Sequence, residues 1–217
     1  MENGKIKKQL IEYKINKRNL FLYVKYKGFN GTDDFLDKTA GLIISGVDGI
    51  ELDGEGLSDK DFLNLARKIG QLCAQYDVTF IIKNRVDIAY LSSADGVNLE
   101  QDCLDIASVR EIIGGEKIVG LYINSPEALD LVKDGADYIS VRQISSTPTE
   151  PVMSTGLEYA KWVSKKSLLP VIVVCDIENI PTSTTAHKNL RVAVDNSIFN
   201  YSSPNTVTEN LLNEVKK

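Results

Sequence analysis

The strongest constraint on how this chain can fold is a repeated change of hydrophobic period. Short apolar runs alternate with segments whose apolar residues recur three and four apart: LFLYV then DDFLDKTAGLIIS, GIEL then SDKDFLNLARKIGQLCAQY, TFII then RVDIAYL, GVNL then LDIASVREII. The pattern continues with KIVGLYI then SPEALDLVKDG, YISV then GLEYAKWVSKK, PVIVV then a short TSTTAHK, and RVAV then PNTVTENLLNEVKK. Strands that are apolar throughout must be covered on both faces, and helical crossovers between parallel strands provide that cover. The alternation therefore predicts eight strand-helix units within 217 residues.

The ends of these units are marked. Ser58 is placed to cap the second helix with Asp61 three residues on, Ser125 and Pro126 open the fifth, and Gly135 closes it. A repeat also runs through the chain: GVDGIEL (46–52), SADGVNL (93–99) and GADYISV (135–141) each place a small residue and an Asp before an even-numbered strand. Eight units with a two-unit rhythm favour a closed α/β barrel, a single (β/α)8 TIM barrel, over an open doubly wound sheet. The expected organisation is a short basic N-terminal extension at 1–18 and one barrel at 19–217. In such a barrel the residues that matter for chemistry follow each strand, at its C-terminal end.

Charge and cysteines narrow the rest. The net charge is −5, yet Lys5, Lys7, Lys8, Lys14, Lys17, Arg18, Lys25 and Lys27 crowd the first thirty residues. A basic arm with no stacking cluster reads as a solvated helix rather than a nucleic-acid contact. Cys73, Cys103 and Cys175 have no CxxC spacing, which excludes a zinc ribbon and a disulfide framework. No apolar run reaches the ~18 residues of a membrane span, and the opening lacks the core of a signal peptide. A cytoplasmic protein without membrane partners is expected, and a homo-oligomer stays open.

Several segments then carry a resemblance. IIKNRVDIA, ADGVNLEQD, GADYISV, STPTE and LPVIVV resemble, in order and spacing, the signature segments of thiamine phosphate synthase and its relative, the TenI-type thiazole tautomerase. The likeness runs from about Leu20 to the C-terminus. It implies a barrel that joins a pyrimidine diphosphate to a thiazole phosphate with magnesium and releases pyrophosphate. A diphosphate leaving group needs lysine, arginine and a divalent ion held by carboxylates, and a phosphate anchor needs bare backbone amides.

Set against that pattern, the chain departs at most substrate positions. The Q-L-R-E-K after the second strand is ELDGE, putting Glu51 at the glutamine position and Asp53 and Glu55 at the cationic ones. N-D-R after the third strand is KNR: Lys83 replaces the pyrimidine-facing asparagine, Asn84 the magnesium carboxylate, and Arg85 is kept. G-Q-E-D after the fourth is EQDC, which keeps Gln101 and an acid at Asp102 but sets Cys103 at the second metal carboxylate. Tyr122 stands at a serine position, while Arg142 and Gln143 stand at a bare strand end, Gln143 also at the tautomerase's histidine. Thr147, Pro148 and Thr149 keep the T-P-T loop, with Glu150 at its lysine. In the phosphate cup, G-G is Cys175 and Asp176, and V-S falls at Asp195, Asn196 and Ser197.

Three cation-to-anion changes, at Asp53, Glu55 and Glu150, all repel a diphosphate. One like-charge pair at ~4 Å costs about 4 kcal/mol at an effective dielectric of 20, less where solvent screens it. The simplest partners for Lys83, Arg85 and Arg142 are the new acids Glu51, Asp53 and Glu55, which predicts an internal ion-pair network. His187 reads as an exposed loop residue, Cys103 and Cys175 as small apolar residues, and Trp162 as packing against the barrel. The leading functional expectation is a barrel that has lost the ancestral reaction and persists as a binding or regulatory protein or with altered chemistry, without a cofactor and with the mouth open to a small-molecule ligand. The alternatives are a divergent active synthase, a transferase with magnesium, and a different enzyme whose acids Glu51, Asp53, Asp102, Asp176 and Asp195 take a cationic ligand or metal.

Overall fold

The computed structural model describes residues 9–142, 156–180 and 189–215. Eight parallel strands close in sequence order, β1 (Leu20–Lys25), β2 (Gly49–Asp53), β3 (Thr79–Lys83), β4 (Gly96–Leu99), β5 (Ile118–Tyr122), β6 (Tyr138–Arg142), β7 (Val171–Cys175) and β8 (Leu190–Val194). β1 pairs with β8 through Leu20 and Val192, so the sheet has no edge. Helices α1 (Thr32–Ile44), α2 (Asp59–Gln75), α3 (Val86–Leu91), α4 (Ile106–Ile113), α5 (Leu157–Lys166) and α6 (Pro204–Val215) cover it. The expected short helix in TSTTAHK, with His187, lies outside the described residues, as do Gln143 and the T-P-T loop with Thr147, Thr149 and Glu150.

Period-two alternation divides the apolar strands between two cores. Leu20, Leu22, Ile50, Leu52, Val97 and Ile139 face the helices, whereas Phe21, Tyr23, Ile81, Ile118, Tyr138, Ile172, Val174 and Ala193 fill the barrel interior. Ser58 caps α2 as expected, its hydroxyl accepting from Asp61 N–H. Ser58→Ala should cost about 1 kcal/mol in urea unfolding, with the barrel unchanged by circular dichroism. The fifth crossover differs from expectation: 127–134 is a 3-10 helix, with Ala128 N–H on Ser125 O and Leu129 N–H on Pro126 O. It buries only Ala128 and Val132, and its Asp130–Lys133 pair at 2.7 Å matches the three-residue turn. Gly135 ends it at φ 111°, in the left-handed region.

The Asp of the sequence repeat has a common structural role. Asp48 accepts from Asn19 and Leu20 N–H, Asp95 from Phe80 N–H, and Asp137 from Val119 N–H. Each even strand thus ties down the start of the odd strand before it, which explains a rhythm of two units. These acids ring the lower end of the barrel, and the described part of the basic extension meets them. Lys14 lies 3.5 Å from Asp95, and Arg18 4.0 Å from Asp48 and 2.9 Å from Asp77. Ile15 is fully buried in the interior core, and Lys14 O accepts from the Thr79 hydroxyl at 2.8 Å. The solvated helix expected there is, over 9–18, a plug on the barrel floor, because its apolar Ile15 and its cations both find partners in the strand starts.

Candidate functional site

The upper end of the barrel gathers the polar inward positions. Around the mouth stand Tyr23 and Lys25 on β1, Glu51 and Asp53 on β2, Lys83 on β3, Asn98 on β4 with Glu100 just beyond, Tyr122 on β5, and Ser140 and Arg142 on β6. An adjoining cleft of about 390 Å³ opens over β2 to β4, lined by Asp53, Glu55, Phe62, Lys83, Asn84, Arg85 and Glu100 among others. That volume suits a small molecule.

The centre of the arrangement is the Lys83 ammonium. It lies 3.1 Å from Asp53 Oδ2, 2.9 Å from Glu100 Oε1 and 3.3 Å from the Tyr23 hydroxyl, which itself donates to Asp53 at 2.5 Å. Burial works to raise the Asp53 carboxyl, but the Tyr23 hydroxyl and Lys83 outweigh it and hold it below the usual carboxylate range. Burial likewise opposes ionisation of Glu100, yet Lys83 and Asn84 keep its pKa low. Burial would also lower Lys83, and its contact with Glu100, Tyr23 and Asp53 raises it instead. All three groups are therefore charged at neutral pH.

Glu51 is the exception. Burial pushes its pKa up to about 7 against the pull of Arg142, of an Asn98 amide at 3.0 Å and of Lys83. Asn98 also exchanges hydrogen bonds with Ser140. The Arg142 guanidinium lies 4.4 Å from the centre of the Tyr23 ring and 5.5 Å from that of Tyr122, with its Nε buried and unpaired. Tyr122 and Arg142 thus occupy the middle of the mouth together.

The expected ion-pair network is only partly formed. Lys83 pairs with Asp53, but Arg85 turns outward to Asp59 and Asp87, each at 2.7 Å. Asp87 is two residues away on the first turn of α3 and reaches the guanidinium first. Glu55 is held down to about 2 by Lys25 and Lys27 on the β1 side. Gln101 is exposed and donates to Asn124 at 2.8 Å. Tyr23, Asn98 and Glu100 were absent from the residues expected from sequence. The period of two was the signal for the first two, which share the inward face with Glu51; Glu100 is the first residue of EQDC.

The positions that resemble a phosphate cup are filled from within. Asp176 accepts from the N–H groups of Glu178 and Asn179, both at 3.0 Å, and Asp195 from Ser197 N–H at 2.9 Å. Ser197 Oγ takes Ile177 N–H at 2.8 Å, and Asn196 makes two hydrogen bonds with the Lys25 backbone. The chain's own oxygens hold the amides a phosphate would need.

Magnesium, implied by the family likeness, does not fit the residues present. Asn84 donates to Glu100 Oε2 and accepts from Glu100 N–H, so its amide oxygen is engaged. Cys103 is a partly buried thiol packed on the core and raised by burial, a soft atom where a hard ion wants oxygen. Among the described residues no group of three His, Cys, Asp or Glu is placed to hold a metal. The Cys175 thiol is buried and pushed up to about 12, so it offers no thiolate. Trp162 packs on the outer core and stacks on Tyr159, with ring centres 5.8 Å apart.

The family model for thiamine monophosphate synthase matches residues 22–196. This chain belongs to the thiamine monophosphate synthase family. It is 34% identical to a thiamine-phosphate synthase of Campylobacter jejuni over 164 residues, covering 75% of this chain and 78% of that protein. A thiamine-phosphate synthase of Prochlorococcus marinus is 32% identical over 205 residues, 90% of this chain but 58% of that relative. Among solved structures, the thiamine phosphate pyrophosphorylase of Pyrococcus furiosus superposes with a TM-score of 0.78, covering 93% and 96% of the two chains at 22% identity, a likeness of fold. No helix among the described residues is long and apolar enough to cross a membrane.

Proposed function

We propose that this family member has given up the magnesium-dependent joining of a pyrimidine diphosphate to a thiazole phosphate and serves as a binding or regulatory barrel that takes a small molecule at its mouth. The observation that carries this reading is the Lys83 ammonium, held by Asp53 at 3.1 Å and Glu100 at 2.9 Å. A side-chain cation sits among the acids, and side-chain oxygens of Asp176, Asp195 and Ser197 sit on the cup amides. Both charges that the ancestral ligands would bring are supplied by the chain. A diphosphate would have to displace internal partners and meet Glu55 as well, at a cost that buried, hydrogen-bonded charges make large.

Titration calorimetry of the pyrimidine diphosphate with magnesium should show no binding in the micromolar range. Tight, magnesium-dependent binding would overturn the proposal. One observation favours a second reading, a divergent active synthase: identities of 34% and 32% to thiamine-phosphate synthases over most of this chain. Complementation of a strain lacking the synthase separates the two, since growth without thiamine supports only the second. Rescue that is lost on Arg85→Ala would then place the reaction in the cleft over β3.

A further inference from the structure

Building on the reading that magnesium chemistry has been left behind, we infer that Lys83 is a tethered counter-cation that takes the place of a divalent ion and makes ligand binding at the mouth independent of metal. Its ammonium is where carboxylates from two strand ends converge, Asp53 from β2 and Glu100 beyond β4, with the Tyr23 hydroxyl as a third oxygen.

Every hard oxygen around it is engaged. Asp53 Oδ1 accepts from Glu55 N–H at 3.0 Å, and Asp53 Oδ2 from Tyr23 and Lys83. Glu100 Oε1 takes Lys83 and its Oε2 takes the Asn84 amide. Asn84 is held at φ 59° with its oxygen on Glu100 N–H, away from the acids. The Asp53 side chain is 9% exposed and that of Lys83 13%, so the ammonium itself fills the position between the two acids that a bound ion would need. The ammonium has a single charge, a flexible stem and three donors, and three oxygens meet it. Removing it leaves the carboxylates of Asp53 and Glu100 without the ammonium that lies between them.

The test compares the response of wild-type protein and Lys83→Ala to manganese, by thermal unfolding and by the paramagnetic resonance signal of free ion. Wild-type protein should show no change in Tm and no loss of free-ion signal. Lys83→Ala should bind, with Tm rising by about 5 °C at a hundredfold excess over Kd, and the rise should vanish in Lys83→Ala/Asp53→Asn. Lys83→Met, which keeps the stem packing, provides the same comparison where the alanine chain does not fold. Variants that fold and remain indifferent to manganese overturn this inference and leave the proposed function standing. Manganese binding by the wild-type protein overturns both.

Discussion

Gly96→Ala is expected to unfold the barrel or bring it to the edge of unfolding. A Cβ at this position would lie 2.1 Å from the Ile118 carbonyl oxygen and 2.7 Å from Ile118 Cβ. The first of these is backbone of the neighbouring strand, so no rotamer change relieves it. β4 pairs with β5 directly through Gly96 and Ile118, and opening that ladder by more than an ångström would propagate around a closed sheet. Overpacking in cores costs about 1–3 kcal/mol when side chains can give. With backbone as the obstacle the cost should exceed ~4 kcal/mol, the exceptional class of single substitutions. Urea unfolding measures it, with Gly115→Ala as the control, because a Cβ there meets nothing within 4 Å. Equal midpoints for the two variants would show that β4 and β5 are not packed as described. Gly120 faces a related constraint, its added Cβ meeting the Tyr138 ring at 2.2 Å, so glycines make room for the bulky rings of the barrel interior.

The barrel was legible in the sequence because its signals are local. Period changes marked the strands, Ser58 and Gly135 marked helix ends, and the spaced Asp48, Asp95 and Asp137 marked a two-unit rhythm whose cause is a hydrogen bond to the previous strand. The charged groups of the mouth were also visible, since ELDGE and KNR supply Glu51, Asp53 and Lys83. Pairings were not. Arg85 and Lys83 are two residues apart and equally cationic, yet one faces Asp59 and Asp87 outside while the other enters the mouth. Which inward side chain lies level with which depends on the stagger of all eight strands, and no single segment encodes it. Asn98 between Glu51 and Ser140, and Tyr23 beneath Arg142, belong to that long-range register. Ile15 escaped for a related reason: a lone apolar residue among lysines reads as exposed until the barrel floor that receives it exists.

Glu51→Gln should abolish the pH response that Glu51 gives the mouth. The folded chain holds the Glu51 proton up to about pH 7, while an unconstrained glutamate releases it near 4.5. Between those values the folded state binds more protons than the unfolded state, so the contribution of Glu51 to stability is full at low pH and falls as pH rises towards 7. A difference of this size amounts to about 3 kcal/mol, the loss being complete above the folded pKa. Glutamine keeps an oxygen for the Asn98 amide and carries no charge, so the variant should match the wild type below pH 4.5 and exceed it by that margin at pH 8. Parallel stability curves for the two proteins would sink the assignment. The same proton acts on binding. With Glu51 ionised, the carboxylates of Glu51, Asp53 and Glu100 outnumber the cations Lys83 and Arg142 by one, Lys25 being paired with Glu55; protonation of Glu51 removes that excess negative charge. An anionic ligand should therefore bind wild-type protein more tightly as pH falls through 7, and Glu51→Gln should bind it with the low-pH affinity throughout.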